Sequence, residues 1–280
     1  MNPHPFAQLK IPQPKADHGQ GGRPRGPISI CTTEVRYTVT NATIDITYHF
    51  RCAEGEKLES SLRIQLNAAT LEARRKTCPS PPDWSRLDVH QCRVCPLNVQ
   101  SSTHCPAALA FVDILEEFGP LLSFTEVEVT VVTSERTVTS KTSVQRALSS
   151  LVGLSMATSG CPILARFKPM ARFHLPLATR EETMFRSVGA YLLGQYFLKQ
   201  RGQTPDLELR GLRETYDLIH NVNVGLADRL REIPAGDAHL NALVILDLFA
   251  HALPSSIDEG LAELEHMFDS FMPPGTTATA

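Results

Sequence analysis

The sequence has no apolar run long enough to cross a bilayer. Its most apolar stretch, Leu240 to Leu253, is interrupted by Asn241, Asp247 and His251. It falls short of the ~20 apolar residues that a spanning helix needs, so it is expected to be a buried core helix. Residues 1–27 lack the apolar core of a secretory signal. They are polar and rich in Pro and Gly, and they read as a disordered arm; its Arg23-Pro24-Arg25 is too short to be a targeting signal. With no export signal, the expected location is cytoplasmic. Neither sign of charge is in excess: 27 Lys and Arg face 30 Asp and Glu, for a net charge of −3. Nothing steers such a chain to phosphate backbones, and the single basic triplet, Arg74-Arg75-Lys76, reads as a solvated face. The expected partner is therefore an unknown protein or a small ligand, with neither nucleic acid nor membrane. Internal repeats are also lacking.

What is present is an ordinary globular composition, 42% hydrophobic and 20% charged over 280 residues, enough to build a sizeable core. Residues 28–142 read as a β-rich half. Val35, Tyr37 and Val39 alternate with polar residues, as do Ile44, Ile46, Tyr48 and Phe50. After a turn at Glu54-Gly55, Leu62, Ile64 and Leu66 share one parity. Period-two alternation predicts an antiparallel sheet with one wet face. A short extended piece is expected from Trp84 to His90, a helix from Pro106 to Phe118, and strands around Val127–Val131 and Val138. From residue 143 the period becomes helical, through Val144, Leu148, Leu151 and Leu154. Thr179 and Glu182 form a capping box, and Pro205 is expected to open a further helix. Asp237 is a candidate cap, and Ser256 with Glu259 suggests a second box before a last helix. Residues 143–272 therefore form a helical half, with a flexible tail at 273–280. The fold class is α+β: an N-terminal antiparallel sheet packed with a mainly helical C-terminal half.

Seven cysteines is an odd number, and thiols in a reducing compartment stay reduced. Clustered cysteines there point to metal or redox chemistry before disulfides. Cys92-x2-Cys95 has the spacing of a metal knuckle, in which two thiolates on a tight turn reach one ion at ~2.3 Å. Cys105 returns nine residues after Cys95. Cys161 is distant, but it precedes proline as Cys105 does. A residue before proline is extended, and proline suits the first position of a helix. Each sulfur would then sit at a helix start, where free N–H groups favour the thiolate. The expected metal ligands are Cys92, Cys95, Cys105 and Cys161, meeting around one ion. His90, His104 and His174 are alternates, each able to replace a cysteine around zinc. Four thiolates suit zinc, with an iron–sulfur cluster as the alternative. A dithiol redox pair at Cys92/Cys95 would need the usual βαβ setting, which is missing. Cys31, Cys52 and Cys78 have no partners at useful spacing; Cys31 and Cys52 are expected in or beside the sheet.

Other polar residues carry weaker signals. Cys161 and His174 would make a thiol–imidazole dyad for covalent catalysis, but no flanking motif supports one. Arg172, His174 and Arg180 would suit an anionic ligand; ion pairing of the arginines with nearby carboxylates is the plainer reading. Asp247, in an apolar run, must be partly buried and find donors. His220, Asn221, Asn223, Asp237 and Asn241 either line a pocket or serve as caps and inter-helix hydrogen bonds.

In five segments the chain resembles a bacterial protein family of unknown function. They are His90-Gln-Cys92-x2-Cys95-Pro-Leu, His104-Cys105-Pro, Thr158-Ser-Gly-Cys161-Pro, Arg172-Phe-His174-Leu-Pro with Thr179-Arg-Glu-Glu-Thr183, and Asn241-Ala-Leu. The resemblance spans roughly residues 35 to 252. It implies a bacterial cytoplasmic protein and a shared cysteine set, but no activity. The expectation is a metal-binding protein with a structural or regulatory centre. The alternatives are a metal- or thiol-dependent enzyme near Cys161 and His174, and an iron–sulfur redox or sensor protein.

Overall fold

The computed structural model describes residues 42–52, 59–74, 80–118, 121–233 and 237–272. The arm, the tail, the Val35–Val39 strand, Cys31, Cys78 and the Glu54-Gly55 turn lie outside the described residues.

The first half holds β1 (Thr43–Cys52), β2 (Glu59–Asn67), α1 (Pro106–Phe118), β3 (Glu126–Val132) and β4 (Thr137–Ser143). The four strands form one antiparallel sheet in the order β2-β1-β3-β4. Alternation does what it was expected to do. Ile46, Tyr48 and Phe50 of β1 point to the core with Ile64 and Leu66 of β2 and Val127, Val129 and Val131 of β3. Asp45, His49 and Arg51 take the other face, where Arg63 and Glu128 pair with Asp45 and Arg51. Phe50 meets Phe118 of α1 at 4.5 Å between ring centroids, and α2 (Val144–Ala157) packs against β3 and β4. Each fully buried side chain of this size contributes ~1.5–3 kcal/mol.

The second half is helical: α2 (Val144–Ala157), α3 (Lys168–Arg172), α4 (Arg180–Gln200), α5 (Arg210–Arg231) and α6 (Ala238–Glu265). The α+β expectation holds. The Thr179/Glu182 capping box forms, with both reciprocal hydrogen bonds present. One apolar core joins the sheet, α1 and the later helices.

Four local expectations are corrected. Asp83–Ser85 is a 3-10 turn, not extended chain, and the residues to His90 turn repeatedly. Pro205 does not open α5, which starts at Arg210. Instead Asp206 organises the approach, accepting from the Glu208 and Gly211 amides and the Tyr191 hydroxyl. No helix starts at Ser256, because α6 runs through it with Pro254 inside. Asp237 precedes α6 but makes no capping bond. Its carboxylate is taken by the Ser123 amide and hydroxyl and by Asn241.

The Leu240–Leu253 stretch is only partly the core helix expected. Ala242, Leu243, Ala250 and Leu253 are buried, while Val244 and Leu248 are exposed. The expectation that no run is long enough to cross a bilayer is corrected: within the longer α6, Ala238–Ser255 is long and apolar enough by length and composition alone. Here it packs against α2, α4 and α5.

Candidate metal centre

The loop between β2 and α1 carries the cysteine knuckle, and α5 is its platform. The Cys95 amide donates to the Cys92 carbonyl at 3.0 Å, closing the tight turn that the spacing implied. His90, with φ of 42°, turns the chain into it. The loop is stitched to the start of α1: Leu87 N–H donates to Thr103 O, and Cys105 N–H donates to Ser85 O at 2.8 Å. Cys105 then starts α1, its carbonyl accepting from Leu109 N–H.

Cys161 follows the same pattern. It comes after α2, through Gly160 at φ of +88°, and its carbonyl accepts from Ala165 N–H at 2.9 Å. The backbone amides of Leu164 and Ile163 act to lower its thiol pKa. N–H groups aimed at sulfur favour thiolate. A shallow cavity is lined jointly by Gln100–His104, Pro106, Ser159 and Gly160, which sets the Cys161 turn beside Cys105.

The electrostatics carry the same proximity. Burial pushes the Cys92 thiol up to about 12, with the charges of Cys95, Cys105 and Cys161 adding to it. Burial also pushes Cys161 up; its two amide bonds oppose that, and Cys105 and Cys95 add to it. The Cys95 side chain further raises the Cys92 thiol. The charges of four thiols from three chain segments thus act on one another. Among the described residues, however, no three His, Cys, Asp or Glu side chains already stand at metal-holding geometry. The expected closure of all four sulfurs around one point is not seen. The described cysteines are not in disulfides.

Sequence reading missed the platform. Gly225 on α5 faces the knuckle so closely that a Cβ there would meet His90 O at 3.1 Å and Cys92 Cβ at 3.2 Å. One turn on, Arg229 is 2% exposed. It donates to the carbonyls of Trp84, Arg86 and Leu87, tying down the loop from below. Burial lowers its pKa, while Cys105, Cys92 and Cys95 oppose that, so the guanidinium stands within electrostatic reach of three sulfurs. Another turn on, Glu232 takes His90 Nε2 at 2.6 Å. A mid-helix glycine one turn before an arginine on an otherwise apolar stripe was the available signal.

The alternate ligands are turned elsewhere. His90 pairs with Glu232, and His104 Nδ1 bonds the Thr103 hydroxyl at 2.9 Å. His174 Nε2 bonds the Tyr48 hydroxyl at 2.5 Å; Tyr48 also meets Ser150 at 2.9 Å. Burial, then the Arg186 charge, holds His174 down to about 3, and burial raises Tyr48. The Cys161–His174 dyad is not formed, because each is engaged elsewhere and neither partner set contains the other. Arg172 lies 3.8 Å from Glu135 and over the Phe173 ring, as the plainer reading had it. Arg180 is exposed at the start of α4. Arg172 and His174 thus take separate partners, Glu135 and Tyr48.

Cys52 ends β1 and packs beside the core. Asp247 finds its donors, His220 Nδ1 at 2.9 Å and Asn223 Nδ2 at 3.1 Å. Asn221 bonds the Asp217 carbonyl. These groups, with Asn241, are mainly inter-helix and intra-helix hydrogen bonds.

A family model described as a domain of unknown function (DUF6901) matches residues 46–269. No curated protein and no solved structure matches the chain.

Proposed function

The chain belongs to the DUF6901 family, and because that membership carries no activity we propose its function from the residues: Cys92, Cys95, Cys105 and Cys161 hold one zinc ion as a structural or regulatory centre. What supports the proposal is that the charges of these cysteines, from three separate segments, act on one another, with Cys92 lying against Gly225 of α5. Thiols that raise one another's pKa are a poor arrangement for bare thiolates. A bound dication reverses the sign, because its charge deprotonates coordinating thiols outright. Four thiolates around zinc leave net negative charge, and the buried guanidinium of Arg229 would offset part of it. The amide bonds to Cys161 supply the outer-sphere orientation that metal ligands usually have. A site with four protein ligands is closed, so its role is to tie the loop and the helical half together. The protein would then act by binding a partner or small ligand, in the bacterial cytoplasm.

The test is a pair of variants. Cys161→Ser should lower metal content and speed hydrogen exchange in α2 and the turn after it, while Cys78→Ser should do neither. Equal metal content in both variants would remove Cys161 from the site and leave a three-ligand centre with an open position. A brown colour and visible absorption after anaerobic purification would replace zinc with an iron–sulfur cluster.

A further inference from the structure

α5 and α6 meet along a polar seam that the cysteine centre does not use. His220 on α5 faces Asp247 on α6, with His220 Nδ1 at 2.9 Å from Asp247 Oδ1. A carboxylate only accepts, so Nδ1 carries the hydrogen and the neutral ring bears its lone pair on Nε2. Asn223, one turn along α5, donates Nδ2 to the same oxygen at 3.1 Å and so fixes the carboxylate. Asn223 is 2% exposed, yet its Oδ1 has no hydrogen-bond partner among the described residues. A buried amide with one atom unpaired needs a reason, and holding Asp247 in place supplies one. His251 stands four residues after Asp247, on the same face of α6, and is exposed. Its ring lies 4.9 Å from the His220 ring between centroids, tilted by 49°.

We propose that His220 and His251 are the two protein ligands of a divalent transition-metal site, of the zinc and copper class, with Asp247 orienting His220 from behind. Zinc takes imidazole nitrogen at ~2.0–2.1 Å in tetrahedral geometry, which sets two ligating rings ~5 Å apart between centroids. The two histidines stand at that spacing. A ligating histidine ordinarily passes its other ring N–H to a carboxylate, which fixes the tautomer and raises the basicity of the ligating nitrogen. His220 and Asp247 stand in that relation. Imidazole donors suit zinc, copper and nickel, whereas magnesium and calcium take oxygen. The His220 side chain is 34% exposed, so an ion reaches the site from solvent. Two protein donors leave the other coordination positions to water. The site therefore needs no third His, Cys, Asp or Glu ligand, and among the described residues no set of three is formed. It shares no residue with the cysteine centre and stands or falls without it.

The test is equilibrium dialysis of the full chain, without a polyhistidine tag, against zinc at ~pH 7.5, where an ordinary imidazole is neutral. Wild type is expected to bind one more zinc per chain than His251→Ala, and His220→Gln should lose the same ion. His251 is exposed, so His251→Ala should keep the far-ultraviolet dichroism and the zinc-free urea midpoint of wild type. The difference should persist when Cys161→Ser is added to both chains, which separates failure of this site from failure of the cysteine centre. Asp247→Asn should weaken this zinc at least ~10-fold, while zinc should shift the His220 and His251 imidazole proton resonances of wild type together. Equal zinc in wild type, His220→Gln and His251→Ala would overturn the proposal and leave the seam as an inter-helix hydrogen bond. Zinc affinity indifferent to Asp247→Asn would overturn it as well.

Discussion

Gly225 is the residue on which the proposed centre rests most tightly. A methyl group there would press on His90 O and on the Cys92 backbone at 3.1–3.3 Å, none of which is the loose end of a side chain. Alanine is favoured over glycine in a helix by ~1 kcal/mol, but overpacking costs ~1–3 kcal/mol. Gly225→Ala should therefore lower stability and displace the knuckle. Gly194→Ala, where nothing lies within 4 Å, should gain ~0.5–1 kcal/mol. Urea midpoints of the two variants moving in the same direction would count against the close approach. Asp247 is a second case. Its carboxylate is 29% exposed and holds His220 and Asn223, whereas Asp258 is 84% exposed and pairs with Arg213. Asp247→Ala should cost ~1–3 kcal/mol and Asp258→Ala no more than ~1 kcal/mol; equal denaturation midpoints would contradict this. His174 predicts a pH dependence. Its pKa falls from 6.5 to about 3 on folding, so between those values the unfolded chain binds more protons. Its contribution is complete above pH ~6.5 and is lost as pH falls toward ~3, by at most ~1.4 kcal/mol per pH unit. His174→Gln should flatten that acid limb in urea titrations, and an unchanged limb would show that His174 is not the group responsible.

At the scale of elements, α5 does two jobs with two stripes. Leu212, Ile219, Leu226 and Leu230 are buried in the core, while Gly225, Arg229 and Glu232 carry the cysteine loop. Arg229→Met strands the carbonyls of Trp84, Arg86 and Leu87 at ~1–3 kcal/mol per unsatisfied group. It should speed amide exchange across residues 84–95 while leaving α4 unchanged. Uniform loosening throughout the chain would instead mean that Arg229 supports the whole core. The sheet, α1 and α2 were legible because alternation and helical spacing state directly which face is buried. The capping box at Thr179 was legible because both partners lie within four residues. The α5 platform was not, because the closeness of Gly225 to Cys92 depends on how a distant loop docks. The Ser256 box misled for a related reason. A local capping signal gave way to continuous packing of α6 against α2 and α5.

For the whole molecule, the proposed ion would join a loop of the β half to the turn that follows α2. Closing so long a loop is worth on the order of 4 kcal/mol in the chain-entropy description of crosslinks, and metal binding then becomes folding energy. The four candidate ligands are proposed from spacing and from the Cys-Pro settings, but among the described residues no three of them stand at metal-holding geometry. The structure also turns His90, His104 and His174 to other partners, which no spacing could reveal. The most direct measurement is elemental analysis, with an absorption spectrum, of the full chain purified anaerobically. The account predicts zinc bound in a one-to-one ratio to chain, and a melting temperature that falls when a strong chelator removes it. Protein free of zinc and iron, with a melting temperature indifferent to the chelator, would contradict it.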